Sequence, residues 1–154
     1  MKTRRPQPGG FTLVEIMMVV AIIGLTLSMG IPSFFRAIRK EGMRKAESEM
    51  VEACQSARRQ AIMNNQTAEL VLYPLDGVFE VPGAYERKEL PSDVSIDILG
   101  VNFIELEKSH EARVHFFPNG TSDEFTIVLH SNDGAVRKIY LDTVTALAVV
   151  ETVR

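Results

Sequence analysis

Gly9-Gly10-Phe11-Thr12-Leu13-Val14-Glu15 opens a run in which residues 16–31 carry no charge. One carboxylate, Glu15, therefore stands at the head of a membrane-spanning pattern. An ionised Glu in a bilayer core costs about 2.5–3.5 kcal/mol on insertion scales. A residue that expensive marks a functional site by default and needs a partner. The sequence can create one. A cut between Gly10 and Phe11 would place a new α-amino group four residues from Glu15.

Working outward from this stretch, residues 1–10 read as a leader kept extended by Pro6, Pro8, Gly9 and Gly10. Residues 11–35 read as the transmembrane half of a long helix. At about 1.5 Å per residue this segment crosses a hydrocarbon core of roughly 30 Å. Gly24, Gly30 and Pro32 interrupt it, and a proline inside a helix removes a donor and clashes one turn back, so a kink is expected at Pro32. Residues 36–65 read as the amphipathic half. Met43, Ala46, Met50, Ala53 or Cys54, Ala57 and Ala61 recur every three or four residues, a single apolar stripe of the kind that packs on a sheet. Glu41 and Lys45 stand at i, i+4, and Asn64-Asn65 is a helix stop.

From residue 67 the period becomes two, and residues 66–154 read as an antiparallel β-domain. Thr67–Tyr73 and Val78–Val81 flank Asp76-Gly77, a hairpin. Val94–Leu99 and Arg113–Phe117 read as strands, with 100–112 as loop. Phe125–His130 and Val136–Leu141 flank Ser131-Asn132-Asp133-Gly134, a strong hairpin signal. Val144–Val150 reads as the last strand. The expected fold class is α+β: a long N-terminal helix, membrane-spanning in its first half, packed on antiparallel β-sheet.

The N-terminal segment resembles the type III (prepilin) signal of type IV pilins and type II secretion pseudopilins. Gly10-Phe11-Thr12-Leu13-Val14-Glu15 stands in register with the apolar run. In that family a prepilin peptidase cuts after the Gly and the new terminal residue is N-methylated. The Glu neutralises the N-terminal amine of a neighbouring subunit. The resemblance implies cleavage at Gly10/Phe11, N-methylation of Phe11 and an assembly role for Glu15. It also implies that the helix can stretch near Pro32 in a filament. The partners it implies are prepilin peptidase, other pilins or pseudopilins in a filament, and an inner-membrane assembly platform. Two plainer readings compete, a secretory signal with Lys2, Arg4, Arg5 and a Ser28-Met29-Gly30 cleavage site, and a simple anchor. Neither needs Glu15.

A second resemblance lies further on. Ala57-Arg58-Arg59-Gln60-Ala61-Ile62, Leu90-Pro91 and Phe116-Phe117-Pro118-Asn119-Gly120, each followed by strand pattern, are similar to the GspH/FimT group of minor pilins and pseudopilins. That group usually carries a Thr-Gly pair near the end. Here Thr145-Ala146 stands instead, so the final turn is expected to differ. The expected function is a structural minor pseudopilin of a type II secretion filament. The alternative is a minor type IV pilin for pilus assembly or DNA uptake.

Charge bears on that choice. Residues 1–65 hold 10 Lys+Arg against 5 Asp+Glu, net +5, and residues 66–154 hold 7 against 15, net −8, which gives the overall −3. The leader's Lys2, Arg4 and Arg5 keep the N-terminus in the cytoplasm by the positive-inside rule, so the chain after the span is exported, and the resemblance implies an inner-membrane anchor with a periplasmic C-terminal domain. An acidic domain is a poor match for phosphate backbones, so a nucleic-acid partner is not expected. The Arg36, Arg39, Lys40, Arg44 and Lys45 cluster reads as headgroup contact and a solvated face, or as subunit–subunit ion pairing. Cys54 is the only cysteine, which precludes an intrachain disulfide and suits a small buried residue. No catalytic constellation, cofactor or metal is expected. His110, His115 and His130 lack ligand spacing, although His115 and His130 would approach if their strands paired. Ser122-Asp123 has no nucleophile elbow.

Overall fold

The computed structural model describes residues 11–153, with side chains described at 11–28 and 41–153. Two compact units result, one up to Ile38 and one from Arg39 onward. The first described element is helix α1, Leu13–Asn64. Thr12 caps it. The Glu15 N–H lies 3.3 Å from Thr12 Oγ1 and 3.1 Å from the Thr12 carbonyl, and the Ile16 N–H donates to that carbonyl at 3.2 Å. Its C-terminus closes as the sequence indicates. Asn65 takes φ 50°, the Gln66 N–H donates back to the Ala61 carbonyl (3.2 Å) and the Asn65 N–H to Ile62 (3.4 Å). This is the Schellman arrangement, in which a left-handed residue satisfies the last carbonyls.

Among the described residues the second unit holds nine strands. They are β1 (Ala68–Tyr73), β2 (Val78–Val81), β3 (Tyr85–Glu89), β4 (Val94–Val101), β5 (Ile104–Glu105), β6 (Ala112–Phe116), β7 (Phe125–Ser131), β8 (Val136–Asp142) and β9 (Leu147–Val153). They form two antiparallel sheets, ordered β3-β2-β1-β6 and β5-β4-β7-β8-β9. The helix stripe expected from spacing is buried throughout. Met43, Ala46, Met50, Ala53, Cys54, Ala57 and Ala61 join one core with Leu70, Leu72, Phe79, Phe116, Phe125, Ile127, Leu129 and Ile139. The fold is therefore α+β, a helix packed on antiparallel sheets in a pilin-like layout. Alternation sets the inward faces. In β7, Phe125, Ile127, Leu129 and Ser131 are buried and the residues between them are not.

Polar side chains of α1 bind the loops that flank it. Ser56 Oγ donates to the Ala84 carbonyl (3.1 Å), Gln60 Nε2 to Pro82 (2.9 Å) and Arg58 Nε to Thr145 (2.8 Å). Glu47 pairs with Arg137 on β8 at 3.3 Å. Among the described residues the Glu41–Lys45 ion pair suggested by spacing does not occur.

Three differences from the sequence reading have physical causes. Strand β3 is highly charged and mostly exposed, so only Tyr85, against Phe79 and the core, marks it as strand. An edge strand bears charge because charge discourages pairing with other chains. Residues 100–112 hold the short β5 rather than loop throughout. Finally, β9 starts at Leu147, not Val144, because Asp142 folds the chain first. Its Oδ1 accepts from the N–H groups of Val144 (2.9 Å) and Thr145 (3.2 Å), and Ala146 closes the turn at φ 50°. The turn with Ala in place of Gly thus keeps a left-handed residue.

Candidate functional site: the amino-terminal segment

The chemistry expected of this chain lies in its first helical turn. Phe11 precedes the helix and is 80% exposed. With Thr12 as N-cap, Glu15 occupies the third helical position, the place where a carboxylate completes a capping box and faces the positive end of the helix dipole. Among the described residues Glu15 has no cation partner. Its local position stabilises the helix end but does not neutralise its charge.

Beyond Glu15 the helix is apolar on every side. Leu13, Val14, Ile16, Met17, Val19, Val20, Ile22, Ile23, Leu25 and Leu27 are all at least 47% exposed. The few polar groups here close on their own backbone. Thr26 Oγ1 donates to Ile23 (2.9 Å) and Ile22 (3.0 Å), and Ser28 Oγ to Leu25 (2.8 Å). A helix with apolar side chains all round is stable only when lipid or other helices cover it. Among the described residues no helix is long and apolar enough to cross a membrane. The described side chains of this segment end at Ser28, short of the roughly 20 residues a span needs. The predicted span extends to residue 35. Gly10 and the leader lie outside the described residues, as does the side chain of Pro32, where a kink is expected, and those of Arg36, Arg39 and Lys40.

The other singled-out residues do not assemble a catalytic site. His115 lies on β6 and His130 on β7, in different sheets, so the strand pairing that would have brought them together does not occur. His115 instead bridges acids. Its Nδ1 is 2.6 Å and its backbone N 3.0 Å from Asp123 Oδ2, and its Nε2 is 3.7 Å from Glu69. Arg113 extends the cluster to Glu69 at 2.7 Å and to Glu111. Burial by itself raises the Asp123 carboxyl. Hydrogen bonds from the His115 backbone and ring and from Asn102 outweigh burial and hold it below the usual carboxylate range. Ser122 Oγ, buried, has no hydrogen-bond partner, so serine, histidine and aspartate form no relay. Among the described residues no group of three potential metal ligands occurs. Cys54 is fully buried, and burial pushes its thiol up to about 12, far from a reactive thiolate.

Sequence reasoning missed one feature. Phe103, in a turn read as featureless loop, is 93% exposed at φ 65°. The Asn102 before it was the available signal, since Asn favours left-handed turns.

Residues 6–31 match the family described as prokaryotic N-terminal methylation motif. The chain has no significant match among curated proteins or solved structures. That motif implies processing by a prepilin peptidase and assembly with other pilins, and it points to anchoring in the inner membrane. Pilin-like proteins are structural rather than catalytic. The methylation motif at 6–31, joined to a helix packed on antiparallel sheets, supports a type IV pilin-like protein.

Proposed function

We propose that the chain is a minor subunit of a type IV pilus-like filament, and specifically a pseudopilin of a type II secretion system, of the GspH/FimT kind, that supports protein export. Peptidase removes residues 1–10, Phe11 is N-methylated, and Glu15 pairs with the amine of a neighbour's Phe11. The N-terminus starts in the cytoplasm and the β-domain faces the periplasm, where the helix serves as strut of the pseudopilus. Pro32 lets that helix stretch. The observation that carries this reading is an exposed Glu15, without a cation partner among the described residues, at the head of a helix segment that is apolar all round. In a filament core either charge left alone is costly, so the pair supplies register. Packing of apolar side chains supplies affinity, because leaving lipid for other helices yields little hydrophobic gain.

The test is the mass of the chain extracted from membranes of its native host, together with two variants. The mature chain should begin at Phe11 and carry one methyl. Glu15→Gln preserves a capping side chain and removes the charge, and Glu15→Ala removes both. Both variants should be cut and methylated, and both should fail to enter filaments. Normal incorporation of Glu15→Gln would show that the charge does no such work.

The alternative, a minor type IV pilin for pilus assembly or DNA uptake, has the same N-terminal chemistry. The net charge of −8 over 66–154 weighs against DNA. A shift assay with duplex DNA at low salt tests the DNA-uptake form of the alternative, with no shift expected here.

A further inference from the structure

Strand β4 is paired along the whole of one edge and along only a small part of the other. β7 accompanies it from Val94 to Val101. On the opposite edge β5 pairs with Gly100 and Val101 alone, and the Leu106 N–H adds a hydrogen bond to the Leu99 carbonyl (2.7 Å). A register shift between Ile96 and Ile98 leaves Asp97 as an extra residue, and a bulge of this kind bends a strand and can end its pairing. Before it, among the described residues, no strand covers the free edge at Val94, Ser95 and Ile96.

An uncovered strand edge is a template for another chain. Here it forms one wall of an open cleft of about 430 Å³. The β1–β2 turn, with Leu75 and Asp76, and the β3–β4 connection, with Glu89 and Pro91, supply the other walls, and Glu107 lines it from just after β5. Hydrogen bonds hold these walls to one another. The Leu90 N–H donates to the Gly77 carbonyl (2.8 Å) and the Val94 N–H to the Pro91 carbonyl (2.9 Å). The cleft is thus formed before any partner arrives, which spares the cost of ordering it on binding. Its lining holds the acids Asp76, Glu89 and Glu107 and no lysine, arginine or histidine. Among the described residues no ion pair engages Asp76 or Glu89, and Glu107 meets only Lys108, whose side chain is 91% exposed, at 3.9 Å.

We propose that this cleft receives an extended segment, bearing lysine or arginine, of a different protein, and that the segment adds to β4 as a strand beside residues 94–96. Main-chain hydrogen bonds to the free edge supply affinity, and the carboxylates select basic side chains. A second copy is a poor occupant. Residues 66–154 carry a net charge of −8, so two such domains repel. The basic residues of the chain's own exposed strand, Arg87 and Lys88 on β3, stand between Glu86 and Glu89. The inference goes beyond the filament reading and does not depend on it, since no residue of the amino-terminal segment takes part.

Fluorescence anisotropy tests it, with the full chain in non-ionic detergent titrated into a labelled pentapeptide that alternates lysine and valine. The peptide should bind saturably, and absence of saturable binding would overturn the proposal. The same peptide with glutamate in place of lysine should bind about tenfold more weakly or worse, and so should the lysine peptide N-methylated on every backbone amide. An N-methylated peptide that binds as well as its parent would mean plain charge attraction and overturn strand addition. Asp76→Asn combined with Glu89→Gln should leave the melting temperature unchanged and raise the half-saturation concentration about tenfold. An unchanged half-saturation concentration would put the peptide elsewhere on the acidic surface and overturn the proposal.

Leu75→Cys locates the bound peptide, because Leu75 is exposed and Cys54 is buried and inert. Saturating peptide should slow maleimide labelling of that cysteine severalfold, and an unaltered rate would count against the cleft. Disulfide-linked dimers of the same variant in the native host's membranes would seat a second copy there and overturn the choice of partner. The mass of the mature chain tests the filament reading separately, so either can fail while the other stands.

Discussion

Individual side chains in this protein are placed by short-range hydrogen bonding more than by global charge. Asp123 shows how. It accepts from the backbone and ring of His115 and sits below the usual carboxylate range despite partial burial. Its folded pKa is thus lower than the unfolded value near 3.9. The stability it contributes is fully present above that value and is lost as pH falls through the folded pKa. Asp123→Asn should lower the urea midpoint at neutral pH and flatten the loss of stability on acidification below about pH 4. An acid limb as steep as the parent's would assign that loss to other carboxylates. Glu15 obeys the same local logic. Thr12 fixes it at the third helical position, where a carboxylate stands against the positive end of the helix dipole.

Among the elements, the second half of α1 depends on small residues. Ala46, Ala53, Ala57 and Ala61 have no exposed surface, so backbone and sheet approach closely along that stripe. Interiors are packed to crystal-like density and do not admit added methylenes. Ala57→Leu should therefore destabilise the unit by about 1–3 kcal/mol, measured by chemical denaturation, although leucine favours helices. Ala57→Ser, nearly isosteric but polar, should separate packing from polarity. If both variants cost the same, volume is not the cause. The hydrogen bonds from Ser56, Gln60 and Arg58 to Ala84, Pro82 and Thr145 show a second use of the helix. Its polar flanks hold the turns before β3 and before β9, the two strands whose limits or existence differ most from the sequence pattern.

In the molecule as a whole, Cys54 reports on the integrity of the core of the second unit. It lies in the same cluster as strands of both sheets, so a thiol reagent reaches it only when that core opens. Labelling at about pH 8 should be negligible in the native chain and complete in denaturant, with a rate that follows unfolding. Rapid labelling without denaturant would mean that α1 detaches from the sheets locally.

Sequence alone determined the parts that obey local rules. The methylation motif, the apolar run, the helix stripe, the Asn65 stop and most strands follow from spacing, capping and alternation, which act over a few residues. The candidate site was legible for the same reason, since Gly10, Phe11 and Glu15 are read against an adjacent run. Tertiary structure decided what no local pattern encodes. Strand β3 exists because an edge position tolerates charge. Strand β9 begins late because Asp142 captures two amides. His115 meets Asp123 and Glu69 rather than His130 because strand order places β6 and β7 in different sheets. Phe103 is held in solvent because Glu124, from another segment of the chain, satisfies the turn that displays it. These outcomes rest on contacts between residues distant in the chain, whose free energies are known only once the fold has brought them together.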